Sequence, residues 1–207
     1  MRTFVAIDIP EEIRQKLARF VEGVRGFAPE ARWVNPASLH VTLKFLGEIN
    51  EGKVAEVKRA LAGVAGEVSQ IGFRGTGFFP TVKAARVFWV GVEADEKLAA
   101  LAKVVDAALA PLGIAREERA FTPHLTLART GSGRPQRTRG DRENASFQKL
   151  QEKLRQMPAP DFGTMTAREF ALYESKLAAG GAVYSKLQRF ALQESGVRGQ
   201  EPAGPTE

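Results

Sequence analysis

Short apolar runs alternate along the chain with longer segments whose apolar residues recur at helical spacing, which predicts a mixed α and β protein. Thr3 to Ile9 is rich in branched and aromatic residues and reads as a strand. Pro10-Glu11-Glu12 then opens a helical pattern that turns Ile13, Leu17, Phe20 and Val21 inward. Trp33-Val34-Asn35-Pro36 interrupts the chain, after which Leu39 to Leu46 largely alternates and should stop at Gly47. A second helix is predicted over Glu51 to Val68, with Val54, Val57, Leu61 and Val64 on one face.

The same grammar repeats. Gln70 to Phe79 is extended, Pro80 marks a turn, and Arg86 to Val92 is a strong strand. A helix follows over Glu93 to Ala110, with Pro111 and Gly113 as its stop. Arg119 to Arg129 then holds a strand with Pro123 just before or at its first residue. Phe147 to Met157 reads as a short helix. Thr164 to Leu177 and Val183 to Leu192 read as strands of a closing hairpin joined through Ala178-Ala179-Gly180-Gly181. Thr130 to Glu143, with Arg134, Arg137, Arg139 and Arg142, is expected to be a mobile basic loop, and residues 196–207 a disordered tail. Each half thus runs strand, long helix, then a strand beginning His-aliphatic-Thr-Leu. The expectation is a single α+β domain over residues 1–195, pseudo-duplicated into two interleaved lobes with mainly antiparallel pairing.

Composition narrows the chemistry. The chain has 207 residues, 43% hydrophobic and 26% charged, enough for a real core. Its net charge of +6 favours an anionic partner such as nucleic acid or a phosphate ester without establishing one. There is no cysteine, which excludes disulfides, thiolate catalysis and Cys-ligated metal. No apolar run approaches membrane-spanning length, and the run Phe4-Val5-Ala6-Ile7 before Asp8 is too short for a signal peptide, so a cytoplasmic protein is expected. No GxGxxG or P-loop occurs.

Histidine chemistry is restricted to two residues, His40 and His124. They head His40-Val41-Thr42-Leu43 and His124-Leu125-Thr126-Leu127. On a strand, positions i and i+2 share a face, so each motif presents an imidazole and a hydroxyl together while its aliphatic residues enter a core. At roughly 5% threonine, finding Thr two residues after both histidines by chance has odds of about 1 in 400. Two half-buried histidines with local hydrogen bonds would be the ordinary reading of either motif alone, and the pairing argues against it. Neither histidine has a metal partner at a recognisable ligand spacing, so acid-base work without metal fits the inventory better.

These motifs, with Lys44-Phe45-Leu46-Gly47, with Phe121-Thr122-Pro123 and Ala128-Arg129 around the second, and with the opening Phe4-Val5-Ala6-Ile7, closely resemble the two-histidine phosphoesterase superfamily, in particular its RNA 2′,3′-cyclic phosphodiesterases, also described as 2′-5′ RNA ligase-like proteins. The resemblance covers roughly residues 2 to 192, and Leu172-Tyr173-Glu174-Ser175 looks like the family's C-terminal element. It implies a bilobal fold in which two antiparallel sheets face a central groove, helices lie outside, and each lobe supplies one His-x-Thr pair. It also implies hydrolysis of RNA 2′,3′-cyclic phosphate ends to 2′-phosphates, with His40 as proton donor and His124 as acceptor; two nearly equivalent motifs do not fix that direction themselves. Thr42 and Thr126 would bind the phosphate. No cofactor, metal, membrane or obligate protein partner is expected.

Phe45 and Arg129 are further candidates. Phe45 reads as core by its alternation or as a base-stacking residue, and Trp33 and Phe79 carry the same two readings. Arg129 would either engage phosphate or be a solvated strand-end cation. The alternatives to hydrolysis are 2′-5′ RNA ligation, in which a ribose hydroxyl replaces water, a nonenzymatic basic RNA-binding module, and a metallohydrolase sensitive to chelation.

Overall fold

A computed structural model of the chain describes residues 1–130, 147–178 and 181–194. The elements in chain order are β1 (Arg2–Asp8), α1 (Glu11–Val24), β2 (Ala31–Trp33), β3 (His40–Glu48), α2 (Glu51–Ala62), β4 (Ser69–Phe79) and β5 (Val87–Ala94). They continue with α3 (Glu96–Leu109), β6 (His124–Thr130), α4 (Gln148–Arg155), β7 (Asp161–Ala167), β8 (Glu169–Ala178) and β9 (Gly181–Ala191). The expected basic loop and the expected tail lie outside the described residues.

The strands form two sheets, ordered β3-β1-β8-β9 and β2-β6-β5-β4-β7, and every strand pair in them is antiparallel. The fold is the expected bilobal one, two antiparallel sheets flanked by helices. Laying the first order on the second matches β3 with β6, β1 with β5, β8 with β4 and β9 with β7, leaving β2 as an addition at one edge. The lobes interleave, because β4 from the first half of the chain completes the second sheet and the late hairpin β8–β9 completes the first.

Several boundaries differ from the sequence expectation for identifiable reasons. Gly47 does not end β3; its φ of 77° serves a bulge, with Leu46 the extra residue between the Thr3–Gly47 and Phe4–Phe45 pairs. The second helix ends at Ala62, where Gly63 closes it, rather than at Val68. The third starts at Glu96, because the Asp95 carboxylate accepts from the Lys97 amide at 3.2 Å and from the Ser69 hydroxyl at 2.6 Å and so caps it. Thr164 to Leu177 is two strands, not one: the chain leaves the second sheet at Ala167 and enters the first at Glu169. β2 went unpredicted, since three residues are too few to carry a period.

One continuous apolar core lies beneath both sheets. It takes Val5, Ile7, Val41 and Leu43 from the first and Phe73, Phe88, Val90 and Leu125 from the second, with Leu17, Val57 and Leu101 from the helices. The alternation of β1 is visible in it: Val5 and Ile7 enter this core, while Phe4 and Ala6 join Ala171 and Tyr173 on the opposite face. A buried ion pair also ties the lobes. The Lys44 ammonium of β3 lies 2.5 Å from Asp106 of α3 and donates to the Ala115 carbonyl at 2.8 Å. Burial pushes the Asp106 carboxyl up, and hydrogen bonds from Lys44 and the Glu117 amide outweigh it, holding the group below the usual carboxylate range.

Removing one partner of such a pair leaves the other stranded. The substitution Lys44→Ala should cost about 3 kcal/mol and lower Tm by about 6–12 °C. The cost is at the low end for a broken buried ion pair because the Asp106 side chain keeps 18% exposure. A thermal melt of the variant matching the parent would show that the pair does not tie the lobes.

Candidate active site

Both histidines begin their strands, and both are held in the same way. His40 Nδ1 lies 2.8 Å from the Ser38 carbonyl, and His124 Nδ1 lies 2.9 Å from the Thr122 carbonyl. A carbonyl only accepts, so Nδ1 carries the proton in each ring. Nε2 is then the nitrogen left to exchange a proton with a substrate, and neither Nε2 has a hydrogen-bond partner among the described residues. The segment before His40 is fixed by Arg14 of α1, whose guanidinium donates to the carbonyls of Ile9, Pro36, Ala37 and Leu39. Asn35 caps the same turn by accepting from the Ala37 amide at 2.9 Å.

A bulge follows each motif at the same place. In β3, Thr42 pairs with Ala6 and Lys44 with Val5, so Leu43 is the unpaired extra residue. In β6, Thr126 pairs with Trp89 and Ala128 with Phe88, so Leu127 is extra. Each bulge buries two consecutive side chains and returns the fifth residue after the histidine to the imidazole's face. Phe45 therefore joins His40 and Thr42, and Arg129 joins His124 and Thr126. Phe45 is 65% exposed, which overturns the core reading that strict alternation favoured. Arg129 is exposed, and its Nη2 lies 3.4 Å from the Thr126 hydroxyl. Arg32 of β2 stands directly opposite Arg129 in register.

Aromatic rings seat both imidazoles. His40 stacks on Phe4 at 4.6 Å, Phe4 stacks on Tyr173 at 5.2 Å, and Tyr184 meets His40 edge-on at 5.1 Å. In the other sheet Phe79 meets His124 edge-on at 5.1 Å and stacks on Trp89 at 5.0 Å. Phe79 thus belongs to the site, whereas Trp33 packs on the core, donating its indole N–H to the Ala28 carbonyl at 3.1 Å. Burial pushes the Tyr184 phenol up, and the positive charge of Arg129 works against that shift.

Burial lowers the His40 pKa below the ordinary histidine value, against the Ser38 hydrogen bond and the Asp8 carboxylate, which raise it; Arg14 adds to the lowering. Among the described residues no cluster of three or more His, Asp or Glu side chains is placed to hold a metal ion, and no helix is long and apolar enough to cross a membrane.

Sequence reasoning located the paired motifs but missed the residues that seat them: Phe4, Arg14, Trp89 and Tyr184. One signal was available. The chain has only two tyrosines, Tyr173 and Tyr184, and both lie on the face that receives His40.

A family model described as LigT like phosphoesterase matches the chain twice, over residues 7–89 and 90–184. The chain is 33% identical over 190 residues to the RNA 2′,3′-cyclic phosphodiesterase of Archaeoglobus fulgidus, covering 92% of this chain and 99% of that one. It is 33% identical over 197 residues to the protein of the same description from Escherichia coli, covering 93% and 97%. Among solved structures, E. coli LigT complexed with 3′-AMP superposes with a TM-score of 0.72 at 29% identity, covering 92% of this chain and 97% of that one.

The aromatic seat of His124 has a sharp steric requirement. A Cβ on Gly77 would fall 2.1 Å from Cζ2 of the Trp89 ring. The substitution Gly77→Ala should displace the indole, cost about 1–3 kcal/mol in denaturant unfolding and change the intrinsic tryptophan fluorescence. Parental fluorescence together with a parental unfolding midpoint would contradict this packing.

Proposed function

Because the chain belongs to the LigT-like phosphoesterase family, we propose that it hydrolyses RNA 2′,3′-cyclic phosphate ends to 2′-phosphate ends without a metal or other cofactor. The observation that carries this reading is the matched pair of imidazoles, each with Nδ1 committed to a carbonyl two residues upstream and each followed on its face by a threonine hydroxyl. Two proton-transfer groups and a set of phosphate donors are what the reaction requires.

A cyclic phosphate holds its reacting oxygens close together, and water must arrive in line with the departing ribose oxygen. His124 Nε2 takes the water proton as the new P–O bond forms. His40 gives its Nε2 proton to the 3′-oxygen as the P–O3′ bond breaks, leaving a 3′-hydroxyl and a 2′-phosphate. Thr42 and Thr126 donate to nonbridging oxygens, where charge gathers in the transition state. Arg129, beside Thr126, adds positive charge at the same oxygens, and the exposed Phe45 ring stacks on the terminal base. Joining a 2′,3′-cyclic end to a ribose hydroxyl would use the same groups, so the product separates hydrolysis from ligation. The partner is RNA carrying a cyclic end, in the cytoplasm, with no obligate protein subunit.

One neutral and one charged imidazole are needed together, so kcat/KM should trace a bell against pH; a plateau continuing well above the histidine range would contradict the pair. His40→Ala and His124→Ala should each lower turnover by about 10²–10⁴-fold while the fold persists, measured on RNA with a defined 2′,3′-cyclic end. The parent run in chelator should yield the linear 2′-phosphate at an unchanged rate. A chelator-sensitive rate restored by one divalent ion, or RNA binding without turnover, would overturn the proposal.

A further inference from the structure

The two histidine sites match in strand position, bulge and carbonyl partner, but they differ in the residue directly across the neighbouring strand. Asp8 stands opposite His40, and Gly91 stands opposite His124. Directly opposed residues of an antiparallel pair have Cβ atoms about 4.5–5.5 Å apart, close enough for one charge to bias the protonation of the other. One imidazole thus faces a carboxylate, and the other faces a residue without a side chain.

The carboxylate is itself held in place. The Tyr173 hydroxyl donates to one Asp8 oxygen and the Lys186 ammonium to the other. Burial pushes the Asp8 carboxyl up, and these two bonds outweigh it, so the group stays ionised below the usual carboxylate range. Tyr173 keeps its proton, because burial and the bond to Asp8 both push its phenol up. Lys186 also lies 5.8 Å from the Tyr173 ring centroid and 3.9 Å from Glu169, which pairs with Arg189 at 3.4 Å. The charged groups acting on His40 are Asp8 from β1, which favours the imidazolium, and Arg14 from α1, which opposes it. The remaining neighbours from the packed strands are the rings of Phe4, Tyr173 and Tyr184.

We propose that Asp8, standing opposite His40 and held by Tyr173 and Lys186, is a positioning residue that favours the imidazolium of His40 and so biases the direction of proton transfer towards His40 giving and His124 taking. Asp8 acts through space, since the ring proton on Nδ1 already belongs to the Ser38 carbonyl. Gly91 places no carboxylate at the matching position opposite His124. The proposal deepens the hydrolytic reading and rests on its assignment of His40 as donor.

Because the chain has only two histidines, a proton NMR titration of the free protein resolves both rings without substrate. The substitution Asp8→Asn should lower the His40 midpoint by on the order of one pH unit, a tenfold loss of imidazolium, and leave His124 where it is. Lys186→Met removes the cation that partly neutralises Asp8 and should move the His40 midpoint the other way; opposite shifts are not what a general loosening of the fold produces. In turnover, Asp8→Asn should lower kcat more than it changes KM. Unmoved His40 midpoints in both variants, or equal shifts of the two histidines, overturn the coupling. A shifted midpoint with parental turnover in Asp8→Asn overturns the donor assignment. Failure of the parent to cleave cyclic phosphate ends would sink the hydrolytic reading and leave the titration result standing.

Discussion

A backbone carbonyl has no proton to offer, so the bond between each imidazole Nδ1 and the carbonyl two residues upstream commits both rings to one arrangement. The chemistry of the groove follows from that commitment. Nε2 becomes the exchanging atom on both sides, the ring plane is fixed by the strand that begins at the histidine, and the hydroxyl two residues on shares its face. The rest of the local structure serves to hold those carbonyls still. Arg14 binds four carbonyls around the segment that precedes His40, and Pro123 stiffens the step between Thr122 and His124.

Duplication explains how two such arrangements come to stand in one chain. The lobes repeat a four-strand order, and each repeats a bulge at the leucine after its threonine, which turns the fifth residue after the histidine onto the imidazole's face. What occupies that repeated position has diverged: an aromatic ring in one lobe, Phe45, and a guanidinium in the other, Arg129. A cyclic-phosphate RNA end has the corresponding two parts, a base to stack and an anion to neutralise. The opposing-strand position has diverged as well, to Asp8 and Gly91. A symmetric frame thus carries an asymmetric site, as a reaction with one proton donor and one acceptor requires.

The sequence made the frame legible and left the divergence largely hidden. His-aliphatic-Thr-Leu repeated after a strand and a helix is a local pattern, so the two lobes, the antiparallel sheets and the paired candidates could be read from it. Phe45 could not be placed, because a bulge at Leu43 shifts the face by one residue and nothing in the alternation of β3 announces it. Tyr173 and Lys186 lie 165 and 178 residues from Asp8 along the chain and meet it only because the last hairpin returns to pair with the first strand. The missing boundary at Arg168 has the same origin. A single apolar stretch looks like one strand until the packing shows that its two ends belong to different sheets.

The central claim is that one phosphate is bound by both lobes at once. A crystal structure with a nonhydrolysable 2′,3′-cyclic phosphate analogue tests it most directly. The geometry predicts a single phosphate within hydrogen-bond reach of Nε2 of both His40 and His124 and of the Thr42 and Thr126 hydroxyls; a phosphate held by one lobe alone, with the other histidine out of reach, would contradict it.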